Sequence, residues 1–397
     1  MTGPETLALH GGRPVRERML PYGRHEVDEA DIQAVVEVLR GDWLTNGPTV
    51  RRFEEAFAER VGAGFAVALS SGTAALHAAV HVAGIQPGDE VITSPLTFLA
   101  SANCILYCGG TPIFADVDPE TLNLDPAATE AALTARTRVI LPIHFAGLPC
   151  AMDRIHAVAR SRNLTVIEDA AHALGAAIGG RPVGGLSEFT TFSFHPVKHI
   201  TTGEGGMVTT NDADLAERLR RFRNHGIERE VRQRQATWRQ DMVTFGANYR
   251  LTDLQSALGL SQLRRLDASL KRREEIAARY HAAFAAMPEV MLAPTQPGNR
   301  HAWHIYPLRL DRDRLREDRE TIFQALRAEN IGVMVHYLPV HLHPYYQERF
   351  GTRRGMCPAA EAAADQLLTL PLFPRMTDGD AADVIAAVGK VIQWARR

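Results

Sequence analysis

The sequence predicts an α/β protein: a large parallel-sheet domain over residues 1–255, with an N-terminal arm, followed by a smaller C-terminal α+β domain over residues 256–397. Two observations carry this. From about residue 50 to 210, short apolar runs alternate with segments of helical periodicity, as parallel strands joined by crossover helices require. After Asp212 that alternation stops, and long helical text is followed by scattered strand-like pieces. A chain of 397 residues that is 45% hydrophobic can bury two cores.

The expected strands of the first domain are Phe65–Leu69, Glu90–Thr93, Pro112–Ala115, Arg138–Leu141, Leu164–Ile167, Phe189–Phe192 and Gly206–Thr209. Asp125-Pro126 reads as an N-cap with proline at the first helical position, and Met152 to Arg162 carries apolar residues at helical spacing. Beyond Asp212 the sequence predicts helices over Asp212–Arg223, Thr252 to about Met287, and Asp318–Asn330, with a last one from Asp380. Strands are expected over Ala302–Leu310 and Gly332–Leu338. The stretch Glu228 to Gln240, with four arginines and three glutamines, reads as a surface loop.

Composition narrows the function classes. A formal charge of -2 gives no net pull toward nucleic acid or anionic lipid. No apolar run approaches the roughly 20 residues of a spanning helix, and the start lacks the basic and apolar regions of a secretory signal. The expectation is a cytoplasmic enzyme with neither nucleic-acid nor membrane partners. Cys104, Cys108, Cys150 and Cys357 lack metal-ligand spacing and read as buried thiols.

Three lysines stand among 44 basic residues, and Lys198 lies in the apolar, glycine-containing run from Phe192 to Gly206. A guanidinium stays protonated, whereas a desolvated ammonium can lose its proton and attack a carbonyl. Lys198 is therefore the candidate Schiff-base residue, against the plainer reading of an ion pair with Glu204. Lys271 and Lys390 read as solvated charges on helices. Ser70-Ser-Gly-Thr73 follows a predicted strand and opens a helix, where exposed N–H groups suit a phosphate or a simple cap. Asp169 ends another strand at the edge where ligands bind in open α/β sheets, or else caps a following helix. Ser193, five residues before Lys198, offers a hydroxyl to the same phosphate. An amine, a carboxylate and a phosphate cradle on one sheet edge are jointly what pyridoxal 5'-phosphate requires.

At these residues the chain resembles the fold-type I, pyridoxal-phosphate-dependent sugar aminotransferases of the DegT/DnrJ/StrS group. The matching texts run in order along nearly the whole chain: Gly41–Pro48, Ser71–Leu76, Glu168–His172, Phe192–Lys198, Gly203–Gly206, Arg223–Gly226, Gly246–Arg250 and Val335–Pro339. The resemblance implies Lys198 as Schiff-base lysine and proton shuttle, Asp169 as partner of the ring nitrogen, and His172 beside the ring. It further implies phosphate contacts from Gly72, Thr73 and Ser193, and Phe98 stacked on the ring face. Asn248 would reach the phosphate of a neighbouring subunit, making a homodimer with shared active sites.

Within the family, Phe194–Gly206 together with Leu141–Gly147 looks most like the branch that aminates C4 of a UDP-linked 4-keto-6-deoxy-N-acetylhexosamine in pseudaminic acid biosynthesis. L-glutamate would be the donor and the kinetics ping-pong. The family's dehydratase branch carries histidine in place of the lysine, which is intact here. The alternatives are an aminotransferase for another nucleotide keto-sugar or a keto-inositol, and a non-catalytic regulatory protein on the same fold. The cluster of His336, His341 and His343 with Tyr345 and Tyr346 fits no zinc motif, so no metal is expected.

Overall fold

A computed structural model describes residues 6–228 and 240–397. Residues 229–239, the bulk of the predicted basic loop, lie outside the described residues. The first half of the chain forms α1 (Glu29–Arg40), α2 (Pro48–Val61), β1 (Phe65–Leu69), α3 (Gly72–Val82), β2 (Glu90–Thr93), α4 (Ala100–Tyr107), β3 (Thr111–Phe114), α5 (Pro126–Ala131), β4 (Thr137–Leu141), α6 (Met152–Arg162), β5 (Thr165–Asp169), β6 (Phe189–Ser193), β7 (Gly206–Thr210) and α7 (Ala213–Phe222). The seven strands form one sheet in the order β1-β7-β6-β5-β4-β2-β3. Helices cover both faces, so Val67, Leu69, Val91, Ile92, Val139, Ile140, Val166 and Ile167 are all buried, and apolar residues dominate the strand centres.

Most of the sheet is parallel, but β7 runs antiparallel to both β1 and β6, which corrects the all-parallel expectation. The connection between β6 and β7 contains no crossover helix, and its ends face each other in the register Ser193↔Gly206, so the chain turns straight back. One sheet edge therefore gathers the carboxyl ends of β1, β2, β5 and β6 with the amino end of β7. That edge carries the predicted site residues.

Past α7 the chain forms α8 (Asp253–Arg264), α9 (Leu266–Phe284), β8 (Val290–Met291), β9 (Tyr306–Leu310), α10 (Arg319–Ala328), α11 (Pro344–Phe350), α12 (Pro358–Gln366), β10 (Leu367–Leu370) and α13 (Asp378–Ala395). The predicted helix Thr252–Met287 is two helices that part at Arg265, whose guanidinium reaches back to Asp31 at 2.6 Å and Asp28 at 3.2 Å. A small antiparallel sheet, β8-β9-β10, packs with α9, α10 and α13 around Ile276, Tyr280, Leu308, Ile322, Leu370 and Val388. Leu7 and Leu20 of the N-terminal segment join this same core.

Two strand expectations fail here. In Ala302–Leu310 only Tyr306–Leu310 is strand, because Trp303 takes a left-handed conformation (φ 49) with its ring 3.8 Å from that of His301. Gly332–Leu338 makes a single bridge, Met334↔Thr369, because the chain there turns toward the sheet edge, where the Tyr337 hydroxyl lies 3.1 Å from His172 Nε2.

Among the described residues no helix is long and apolar enough to cross a membrane, and all four cysteines are free, with Cys108 only part-buried. Lys390 departs from its reading as a solvated charge. Its Nζ lies 3.0 Å from Glu329, which is fully buried and also accepts from the N–H groups of Ala8 and Val15 at 2.9 Å each. That ion pair ties the N-terminal segment to α10 and α13. Removing one partner of a buried pair strands the other's charge. Glu329→Ala is expected to cost about 3 kcal/mol in denaturant unfolding, against less than about 0.5 kcal/mol for exposed Lys271→Ala. Equal costs would show that the pair contributes nothing.

Candidate active site

The edge begins at β1. Ser71 caps α3, its Oγ accepting from Ala74 N–H at 3.0 Å, so the predicted cap is present and the first turn's N–H groups open onto the sheet edge. Close packing here demands glycine twice. A Cβ on Gly72 would sit 2.8 Å from Ser193 Cβ, and one on Gly206 would sit 2.3 Å from the Ser71 carbonyl oxygen. Gly72, Thr73 and Ser193 thus lie together at a helix N-terminus, where backbone N–H groups and the Ser193 hydroxyl are the donor types a phosphate requires.

Asp169 ends β5. No helix follows it, which removes the capping reading; turns occupy the next residues. Its Oδ1 accepts from Ala171 N–H at 3.0 Å and its Oδ2 from the Ser101 hydroxyl at 2.7 Å, while Ser101 lies 2.8 Å from Thr97 Oγ1. Beneath it, Cys150 N–H donates to His144 Nδ1 at 3.0 Å, which turns the ring's Nε2–H to Glu168 Oε2 at 2.8 Å. Asp169 therefore cannot swing.

Lys198 is part-buried and makes no ion pair with Glu204, which is exposed. Among the described residues its amine lies within 4 Å of no carboxylate, and its hydrogen-bonding neighbour is His304 Nε2 at 3.4 Å. Burial pushes the Lys198 ammonium down to about 8; Asp169's charge pulls it back and the Arg273 guanidinium pushes it further down. Buried His172, His199 and His304 are all held below the ordinary imidazole range, first by burial and then by neighbours including Lys198. Burial likewise takes His336 down to about 4. The amine is thus ringed by neutral imidazoles. The His172 ring lies tilted at 40° against that of His304, centroids 4.3 Å apart.

Phe98 is 59% exposed and 6.3 Å from the Tyr337 ring, so it is not core and leaves a face free for a planar ligand. Asn248 is exposed and bridges to Asn224, beside the point where Ser70 N–H donates to the Tyr249 carbonyl at 2.8 Å. The structure thus gathers Gly72, Thr73, Phe98, Asp169, His172, Ser193 and Lys198 at one edge, with Asn248 on the surface nearby. The histidine cluster does not assemble. His341 is buried against Glu361 at 2.8 Å, while His336 lies 2.8 Å from Thr369. Among the described residues no group of three or more His, Cys, Asp or Glu could hold a metal ion.

Ser101, His304 and Tyr337 escaped the sequence reading as site residues. Ser101 gave no signal beyond lying three residues after Phe98, and His304 was hidden in a segment read as strand. A carboxylate fixed by two donors, an amine of lowered pKa, a helix N-terminus whose glycines admit no Cβ and an exposed aromatic face fit pyridoxal phosphate group by group.

Residues 25–389 match the DegT/DnrJ/EryC1/StrS aminotransferase family, and the chain belongs to it. Its cofactor is pyridoxal phosphate and its architecture that of the fold-type I enzymes. The chain is 46% identical over 384 residues to the spore coat polysaccharide biosynthesis protein SpsC of Bacillus subtilis, covering 96% of this chain and 99% of the relative. Its structure is similar to Helicobacter pylori PseC, an aminotransferase of pseudaminic acid biosynthesis, with a TM-score of 0.90 and 30% identity over 95% of this chain and all of that one. The aminotransferase TlmJ of Streptoalloteichus hindustanus gives 0.88 at 31% identity, over 95% of this chain and 99% of that one.

The Lys198 environment fixes a pH dependence. In apoprotein, capture of pyridoxal phosphate by Lys198, trapped with borohydride and read by peptide mass spectrometry, is expected to rise as pH passes upward through about 8. Below that value the ammonium has no lone pair to attack with. A rate independent of pH across it would contradict this account of the site.

Proposed function

We propose that this aminotransferase moves the amino group of L-glutamate to the C4 ketone of a UDP-linked 4-keto-6-deoxy-N-acetylhexosamine. The observation that carries the reading is the poised amine of Lys198, near enough to Asp169 to feel its charge yet not paired with it, in a chain similar to PseC over nearly its full length. When bound, pyridoxal phosphate supplies an aldehyde that captures amino groups and a ring that accepts an electron pair. Asp169, held by Ser101 and Ala171, keeps a proton on the ring nitrogen. Gly72, Thr73 and Ser193 bind the phosphate, Phe98 orients the ring from its exposed face, and His172 borders it. Lys198 Nζ takes the α-proton from the donor and later returns a proton toward the sugar's C4, and a lowered pKa suits it to both tasks. Donor and acceptor use the same lysine in turn, so the kinetics are ping-pong. The higher identity to SpsC favours, as second reading, the same chemistry on another nucleotide keto-sugar.

Both readings are separated by one panel. Enzyme converted to its amine form with glutamate is offered a set of nucleotide keto-sugars, and the return of the cofactor's yellow absorbance is scored. Return with the UDP-linked 4-keto-6-deoxy-N-acetylhexosamine alone supports the first reading, return with a different sugar the second. No bleaching by glutamate at all would overturn glutamate as the donor.

The working unit in this proposal is a homodimer. Trp43, Leu44, Met242, Val243 and Phe245 are large, apolar and at least half exposed, the kind of side chain that subunit interfaces cover. Asn248 lies three residues beyond Phe245 and is offered as the phosphate ligand of the partner's site. Mixing inactive Lys198→Ala with inactive Asn248→Asp subunits then places both lesions in one site of a mixed dimer and none in the other. Recovery of about a quarter of wild-type activity is expected for random pairing. No recovery, with exchange proven, puts Asn248 in its own subunit's site.

A further inference from the structure

Lys198 also forms part of the wall of a cavity of about 290 Å³ between the loop after β6, helices α8 and α9, and the N-terminal segment. The wall is rich in guanidinium groups, and their partners differ. Arg265 is answered by Asp31 at 2.6 Å, Asp28 at 3.2 Å and Glu26 at 3.5 Å; Arg272 is answered by Asp378 at 2.9 Å and Glu275 at 3.2 Å. Glu26, the acid in this wall, is thus already engaged. Arg273 is different. It is 1% exposed, meets no carboxylate among the described residues, and donates Nη1 only to the carbonyls of Trp303, His304 and Leu372 at 3.0–3.2 Å. Its Nε finds no acceptor, and neither does the buried hydroxyl of Ser269 one turn earlier on α9. Arg24, exposed in the same wall, makes no ion pair among the described residues.

A buried guanidinium facing only carbonyl dipoles carries an uncompensated charge, which is costly unless an anion meets it. The buried Nε of Arg273 and the buried hydroxyl of Ser269 are thus donors without partners in the wall of one cavity, beside the exposed charge of Arg24, which is a setting that suits an anion. The position of Lys198 in the wall selects the anion. A carboxylate bound here leaves the rest of a short amino acid within reach of that amine, whereas the diphosphate of a nucleotide sugar stands a whole pyranose ring away from the reacting ketone.

We propose that this cavity is a carboxylate subsite for the amino donor, with Arg273 and Ser269 as its buried donors and Arg24 adding charge from the N-terminal segment. It rests on the aminotransferase reading above and serves both glutamate and the 2-oxo acid that leaves, since the two share their carboxylates. Hydrogen bonds to a charged group are worth roughly 1.5–3 kcal/mol each, about tenfold or more in affinity.

The test uses pyridoxal-phosphate-loaded enzyme and glutarate, a dicarboxylate with neither amine nor ketone, titrated by calorimetry. Glutarate is expected to bind wild type, to compete with glutamate in the bleaching of the cofactor colour, and to bind about tenfold more weakly to Arg24→Gln and Ser269→Ala. Arg273→Lys, which keeps charge but removes Nε, is expected to lose more. Should that variant misfold, the other two decide. The apparent affinity for the keto-sugar, read from the return of colour, should stay within about twofold of wild type. Unchanged glutarate affinity in Arg24→Gln and Ser269→Ala overturns the proposal. So does an equal loss of UDP or keto-sugar affinity, which gives the cavity to the diphosphate. Wild-type enzyme that keeps its colour with glutamate defeats the glutamate-donor reading instead, and the carboxylate site then stands or falls on glutarate alone.

Discussion

A carboxylate and an amine share the mouth of this sheet and are kept from closing on each other. Asp169 raises the proton affinity of Lys198 through space, yet the two do not form an ion pair among the described residues. Left free, they would meet, because a paired charge in a partly dry site is far cheaper than two separate ones. The separation is held from both sides. Ser101 and Ala171 pin both oxygens of Asp169, and Lys198 is drawn toward His304 in a ring of imidazoles that burial keeps neutral. In the proposed reading a pyridine ring stands between this counter-charge and this amine, with Phe98 and the turn at Gly72 setting which way it faces.

The same separation explains what the sequence could and could not disclose. Lys198, Asp169 and the Ser71-Gly72-Thr73 turn were legible because each ends or follows a strand whose apolar run is unmistakable, and parallel strands buried on both faces make such runs. Their identity as a set came from cofactor chemistry, which asks for all three together. The groups that hold them apart were not legible. Ser101 sits inside α4 and reads as any small helical residue; only the packing of α4 against the end of β5 turns its hydroxyl to Asp169. His304 lies where Trp303 leaves the strand conformation, so the period that suggested a strand from Ala302 concealed the turn that delivers the histidine. The reversal of β7 was missed for a related reason. Direction is set by the connection, and Gly203-Glu-Gly-Gly206 carries no periodicity to read.

The acids of this chain share one habit that places Asp169 in context. Asp253 accepts from the N–H groups of Gly47 and Thr49 at 2.8 and 2.9 Å and so caps α2 from across the sequence. Asp116, just past β3, accepts from Ala359 and Ala360 at 2.8 and 2.9 Å and caps α12. In each case a carboxylate satisfies backbone donors that a helix start leaves bare, and the helix is thereby nailed to a distant element. Asp169 is held in the same way by Ala171 N–H, but there is no helix behind that donor for its charge to serve. Its second oxygen is held by a neutral hydroxyl, which orients the carboxylate without cancelling it. A carboxylate fixed in this way has its position supplied by the protein and its charge still unspent, and that unspent charge is what a pyridinium nitrogen needs.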